Sequence, residues 1–217
     1  MKKENQKNIY IALFMFLLFV LWTVLICIVD VRAIGPQETT VGFATLNRIF
    51  HNLTGVHMSL YTITDWLGLI PFFFVTGFAS LGLIQWIKRK NLILVDYSLF
   101  VLGGFYIAVM AIYVLFEIIV INYRPVLING YLEASYPSST TMLVMCVMPT
   151  AIMQFNRRIK SERLKTYISL LITAFIIFMV VGRLISGVHW FTDIFGGTLL
   201  SAGLVLLYRF FVNLEHK

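Results

Sequence analysis

Three short clusters carry nearly all the groups that could do chemistry in this chain. They are Asn122-Tyr123-Arg124-Pro125, Tyr136-Pro137-Ser138-Ser139-Thr140, and Gly182-Arg183 through to His189 and Asp193. His189 and Asp193 are spaced i, i+4, so on one helix they share a face. Asp193 could then accept a hydrogen bond from one imidazole nitrogen, fix the tautomer and raise the basicity of the other, which is how a histidine nucleophile or base is activated. Pro137 suits a first helical turn, where its missing N–H costs nothing. The amides of Ser138, Ser139 and Thr140 would then project from a helix N-terminus, a ready anion site. Arg124 and Arg183 add planar guanidinium forks that match phosphate oxygens. Together these parts describe phosphoryl recognition beside a histidine nucleophile, a chemistry that rests mainly on positioning and charge stabilisation.

Long apolar segments must position these groups. The chain has 217 residues, 59% hydrophobic and 12% charged, about half the charge of an ordinary soluble domain. A membrane-crossing helix needs roughly 20 predominantly apolar residues. Six blocks qualify, at about 9–29, 66–87, 93–121, 138–156, 167–186 and 190–212. The expectation is an all-α protein, a single polytopic domain over 1–217 built as a six-transmembrane-helix bundle with no soluble appendage. The first block is longer than a signal-peptide core and lacks a small-x-small cleavage pattern, so it reads as an uncleaved span. Cys27 and Cys146 each fall inside a span without paired spacing, which suits packing and suggests neither a disulfide nor a metal site.

The net charge of +7 would suit nucleic acid, but its distribution sets topology instead. Lys2, Lys3, Lys7, Lys88, Arg89, Lys90, Arg157, Arg158, Lys160, Arg163, Lys165, Arg209 and Lys217 all fall on one side of the six-span layout. The positive-inside rule makes that side, with both termini, cytoplasmic. Arg32, Arg48, Arg124 and Arg183 lie on the other, so the polar site is expected at the outer face, and no nucleic-acid partner is expected. Arginine beside hydrocarbon is costly unless paired or functional. The outer loop at about 30–65 is the longest polar segment, and Val41 to Leu53 has the helical spacing of an interfacial segment. His51 and His57 in this loop read as solvated.

At these residues the sequence resembles the type 2 phosphatidic acid phosphatase superfamily of integral-membrane lipid phosphatases. That pattern is Lys, six residues, Arg-Pro; then Pro-Ser-Gly-His; then Ser-Arg, five residues, His, three residues, Asp. Arg124-Pro125, Pro137-Ser138, and Arg183, His189 and Asp193 match it. The resemblance implies that His189 attacks phosphorus and Asp193 orients it. Arg124, Arg183, Ser138 and Ser139 would hold the phosphoryl oxygens, with no metal or other cofactor. The substrate would be a membrane lipid carrying a phosphate or diphosphate at the outer leaflet. The short basic termini suit a bacterial plasma (cytoplasmic) membrane.

Three positions depart from the pattern. Gly182 replaces the Ser before Arg183, a minor change. Glu117 stands in place of the first-motif Lys, exchanging an attractive charge for a repulsive one. Thr140 stands in place of the second-motif His, the general acid. General-acid help is worth typically 10²–10⁴-fold when the leaving group needs a proton. A lipid diphosphate, whose leaving group is a phosphate, depends on it less than a simple phosphate ester. Glu117 could instead be the acid, its pKa raised by burial, pair with Arg124 or Arg183 and block the site, or bind a cationic head group. The competing expectation is a catalytically degenerate relative that binds a phospholipid head group or a membrane partner. A transporter is disfavoured, because the polar groups gather at one face rather than at midplane.

Overall fold

The computed structural model describes residues 2–216, with side-chain placement for 4–214; the side chains of Lys2, Lys3 and Lys217, used above for orientation, lie outside the described set. Helix α1 (Lys2–Ile28) leads into a two-stranded antiparallel ribbon, β1 (Arg32–Ala33) and β2 (Thr40–Val41). Short helices α2 (Ala44–Thr54) and α3 (Met58–Leu67) follow. The rest of the chain is α4 (Ile70–Arg89), α5 (Tyr97–Ile118), α6 (Ser139–Arg158), α7 (Glu162–Ile185) and α8 (Phe191–Val212).

Five helical stretches among the described residues are long and apolar enough to cross a membrane: Glu4–Ile28, Met58–Arg89, Tyr97–Ile118, Glu162–Ile185 and Phe191–Val212. Their apolar side chains face outward, with Leu17 64%, Ile107 73% and Leu171 73% exposed. That distribution is stable in lipid, where helices gain nothing by hiding leucine from hydrocarbon. The protein is therefore a multi-pass membrane protein. The remaining expected span, 138–156, forms a helix of similar length, α6, but its composition is too polar to count among the five. It packs against α4, α5, α7 and α8, and apart from Thr141 Oγ1, which is buried without a partner, its deeper polar side chains find partners inside the protein. Thr150 Oγ1 lies 3.1 Å from Tyr106 Oη, and Gln154 donates to Tyr208 Oη at 2.6 Å and to the Ser98 carbonyl at 3.1 Å. A helix surrounded by protein can carry such groups where a lipid-facing one cannot.

The expected loop at 30–65 is mostly helical. α2 is the amphipathic segment anticipated over 41–53, fastened by buried Asn47, whose amide donates to Gly42 O (2.8 Å) and Thr192 Oγ1 (3.0 Å) while its oxygen accepts from Thr192 N. α3 starts at Met58, well before the expected span boundary at 66, and packs on α7. α1 runs along α8, antiparallel to it: Glu4 pairs with Arg209 at 3.2 Å near one end, and Trp22 donates to Thr192 O near the other. The bundle end bearing Glu4 and Arg209 also gathers Arg89, Asp96 and Arg158. The functional clusters lie at the opposite end.

Candidate active site

Between α5 and α6 the chain makes a narrow hairpin. Ile128 bridges Tyr131, and the two residues between them, Asn129 and Gly130, both have positive φ (51° and 83°). An Asn-Gly pair is the preferred sequence for such a two-residue turn. Tyr123 pairs with Ala134, so five residue steps on the first arm face three on the second. The extra length falls around Pro125, which has no N–H to give a ladder. Arg124 N donates to Glu133 O at 3.1 Å, and Ser135 N to Asn122 O at 2.9 Å. This register brings Asn122, Arg124 and Ser135 to one end of the hairpin, beside the turn joining α7 and α8.

That turn is shaped by Gly187, whose φ is +68° and whose hypothetical Cβ would lie 1.9 Å from Gly55 O; only glycine fits there. His189 belongs to this turn and α8 starts at Phe191, so His189 and Asp193 do not share a helix as their spacing had implied. Asp193 is instead the third residue of α8 and caps it, accepting from Trp190 N at 2.9 Å.

The expected direct pair between His189 and Asp193 is also absent: Nδ1 and Oδ2 are 3.9 Å apart. Ser135 Oγ lies between them, 3.0 Å from Nδ1 and 2.5 Å from Oδ2. Asn122 donates to Oδ1 at 3.2 Å. On the other side of the ring, Arg124 Nη1 is 3.2 Å from Nε2. A guanidinium has donors only, so Nε2 is the acceptor and its lone pair faces Arg124. Burial first, then the charges of Arg124 and Arg183, hold the His189 pKa well below the ordinary imidazole value of 6.5, which keeps the ring neutral and able to accept.

Arg183 is 2% exposed. Its Nη2 donates to Asp65 Oδ1 at 2.9 Å and to Thr140 Oγ1, while its Nε and Nη1 have no partner. Tyr61, four residues before Asp65 on α3, stacks against both guanidinium groups, 4.9 Å from Arg183 and 5.9 Å from Arg124. Such cation–π contacts are worth about 0.5–2 kcal/mol each. The Nε of Arg124 lies 3.0 Å from Glu133. An unmade hydrogen bond on a buried polar group costs about 1–3 kcal/mol, a cost that an anion placed against the two unpartnered nitrogens of Arg183 would offset.

The start of α6 differs in detail from expectation. Pro137 precedes the helix rather than opening it; Ser138 is the N-cap, its Oγ accepting from Thr141 N at 3.5 Å. The Ser138 amide is already used, donating to Asp193 O at 3.1 Å. The amides of Ser139 and Thr140 have no partner among the described residues. Thr140 Oγ1 accepts from Arg183 Nη2. Glu117 is exposed and lines a small crevice with Ser135, Pro137 and Ser139. It pairs with neither arginine; Glu133 and Asp65 take those places. His57 is exposed, its Nε2 2.8 Å from Thr54 O, and His51 packs on Trp190. Neither side chain has a hydrogen bond to the cluster among the described residues, although His57 N donates to Ser186 O at 3.0 Å.

The structure thus unites Arg124, Arg183, Ser138, Thr140, His189 and Asp193, gives Asn122 of the first cluster a contact with Asp193, and adds Tyr61, Asp65, Glu133 and Ser135, which the sequence had not marked as site residues. A polytopic helical membrane protein with a buried histidine between two arginines at one bundle end is the class these observations define. The sequence profile of the PAP2 superfamily matches residues 72–216, well over half of the chain, and the protein belongs to that superfamily. Its fold is similar to the crystal structure of the first transmembrane PAP2 type phosphatidylglycerolphosphate phosphatase from Bacillus subtilis, with a TM-score of 0.62 and 17% identity over 95% of this chain and 97% of that one. No curated protein sequence matches the chain at a significant level.

Proposed function

We propose that the protein is a membrane lipid phosphatase or phosphotransferase that acts on a lipid phosphate or diphosphate through His189. The observation that carries this reading is Arg183, buried with two bare N–H groups in the electrostatic reach of His189. In the resting site Arg124 occupies the lone pair of Nε2. A phosphoryl oxygen would draw Arg124 away, take the free donors of Arg183 and the open amides of Ser139 and Thr140, and leave Nε2 facing phosphorus. A bond then forms from Nε2 to phosphorus as the bond to the leaving oxygen breaks, its electron pair going to that oxygen. Water or an acceptor alcohol next attacks phosphorus; the bond from Nε2 to phosphorus breaks with its electron pair returning to Nε2, and the proton of the attacking hydroxyl passes to solvent. Asp193 and Asn122 hold the histidine side of the site.

Thr140 is committed to Arg183 and cannot act as an imidazolium would. Glu117 lines a small crevice with Ser135, Pro137 and Ser139 and forms no ion pair with Arg124 or Arg183. With Thr140 at the position of the family's motif-two histidine, no imidazole stands at the start of α6 among the described residues, which favours a lipid diphosphate cleaved to the monophosphate, since that product leaves without prior protonation. The same observation favours a second reading, a catalytically degenerate relative that binds a phospholipid head group or a membrane partner. The proposed setting is a bacterial plasma membrane, with six spans, both termini in the cytoplasm and the site at the outer leaflet; the separation of Arg89, Arg158 and Arg209 from the site supports that orientation.

The test is phosphate release by the purified protein from polyprenyl diphosphates and from a panel of lipid monophosphates, with His189→Ala as control. Release from the diphosphates that His189→Ala abolishes is the expected result. No release from any substrate, with head-group binding retained, would favour the second reading.

A further inference from the structure

We infer that Ser135 is the positioning residue through which Asp193 acts on His189, its hydroxyl linking the imidazole Nδ1–H to the carboxylate. This inference rests on the proposed histidine chemistry but is argued from geometry of its own. Ser135 Oγ is 3.0 Å from His189 Nδ1 and 2.5 Å from Asp193 Oδ2, whereas the two ends are 3.9 Å apart. A hydroxyl has one proton to give and lone pairs to accept with. Placed against a carboxylate, which only accepts, it must give that proton to Asp193. It then faces Nδ1 with lone pairs alone, so Nδ1 carries a proton and donates it. The opposite face of the ring gives the same answer independently: Arg124 has only donors, so Nε2 is bare. Both faces specify one tautomer, with the lone pair on the nitrogen that would meet phosphorus.

The bridge is rigidly built. Ser135 N is held by Asn122 O at 2.9 Å, and the Asn122 side chain holds Asp193 Oδ1 at 3.2 Å. Trp190 N binds Oδ2 at 2.9 Å, so Asp193 is fixed from both oxygens and from its own helix start. Ser135, Asn122, His189 and Asp193 are all buried. As Nε2 gains a bond to phosphorus the ring becomes cationic, and Asp193 stabilises that charge through the hydroxyl rather than by contact. Residue 135 is therefore a determinant of turnover rather than of substrate binding.

The experiment has two arms. First, detergent-solubilised protein labelled with ¹⁵N at histidine is examined by NMR, with His189→Ala used to assign the His189 ring. A neutral ring with Nδ1 protonated and Nε2 bare is expected; Ser135→Ala removes the hydroxyl but keeps the backbone contact of residue 135 with the ring, so the Nδ1–H signal is expected to persist and to shift. The opposite tautomer in the wild type overturns the inference, and so does an unchanged ring in Ser135→Ala. Second, steady-state kinetics are measured on the substrate that the panel above identifies. Removing the group that orients a catalytic histidine costs up to about 10⁴-fold in kcat. With Asp193 still present, Ser135→Ala should lower kcat roughly 10²-fold, with KM unchanged within about threefold, and Ser135→Thr should recover most of it. A Ser135→Ala enzyme within threefold of wild type in kcat overturns the inference. If wild type turns over nothing, the proposed function fails, and the NMR arm alone still decides the role of Ser135. The wild-type spectrum also decides it if Ser135→Ala does not fold.

Discussion

Arg183→Lys isolates the value of a guanidinium fork from that of a positive charge. Arg183 has four functions in its geometry: Nη2 holds Asp65 and Thr140, and Nε and Nη1 point free donors at the proposed phosphoryl site. Lysine restores a charge but is a compact ammonium without the planar pair of donors. Hydrogen bonds to charged groups contribute about 1.5–3 kcal/mol each, so losing both free donors to a phosphoryl oxygen removes about 3–6 kcal/mol. At 1.4 kcal/mol per decade this is roughly a 10²–10⁴-fold fall in kcat/KM. The stability change is read separately, because Arg183 is 2% exposed and also holds Thr140 and Tyr61, although lysine keeps a positive charge against Asp65. The assay is phosphate release beside thermal unfolding in detergent. A fall of less than fivefold in kcat/KM, at unchanged unfolding temperature, would refute the assignment of those bare donors to phosphate.

Four other outcomes follow from the same geometry. Because burial and then the charges of Arg124 and Arg183 depress the His189 pKa, the neutral nucleophile persists as pH falls. The acid limb of kcat/KM should lie below pH 6.5, and Arg124→Gln, which removes one of those charges, should move that limb upward; Arg183, Asp193 and Ser135 still act on the ring. A limb above 6.5 in the wild type would contradict this. Gly187→Ala should destabilise the protein by at least about 1–2 kcal/mol from its left-handed backbone alone, before the clash with Gly55 O, and an unchanged unfolding temperature would count against the turn. Glu117→Lys should lower KM for phosphorylated substrates about two- to fivefold, the scale of a surface charge pair. High salt should erase the gain, and a KM that does not respond would remove Glu117 from the substrate path. Tyr136→Phe deletes the 2.6 Å contact with Thr23 while keeping the ring that fills the space over Gly196, and should reduce stability by about 1 kcal/mol, read by unfolding.

The parts of this account that were visible in sequence have local signatures. Long apolar blocks marked the helices, and the spacing from Arg183 to His189 and Asp193 marked the histidine site. Spacing alone misled where a turn intervened: His189 and Asp193 sit four apart, yet Gly187 delays the start of α8, and the i, i+4 geometry was lost. The same limit applies to α6, whose polar side chains are tolerable only because other helices surround it. For Ser135 the signal is indirect, since Asn129-Gly130 announces a hairpin that returns Ser135 to Asn122. Tyr61 and Asp65 had none. Asp65 meets Arg183 across 118 residues of chain, and nothing local in either segment names the other.

The most direct test of the central claim is to trap the covalent intermediate. Protein mixed with a lipid diphosphate labelled at the terminal phosphorus, denatured within the first turnover without acid, should carry label on His189. His189→Ala should carry none and release no phosphate. Phosphate release that continues in His189→Ala, or turnover by the wild type with label never appearing on that histidine, would contradict the account.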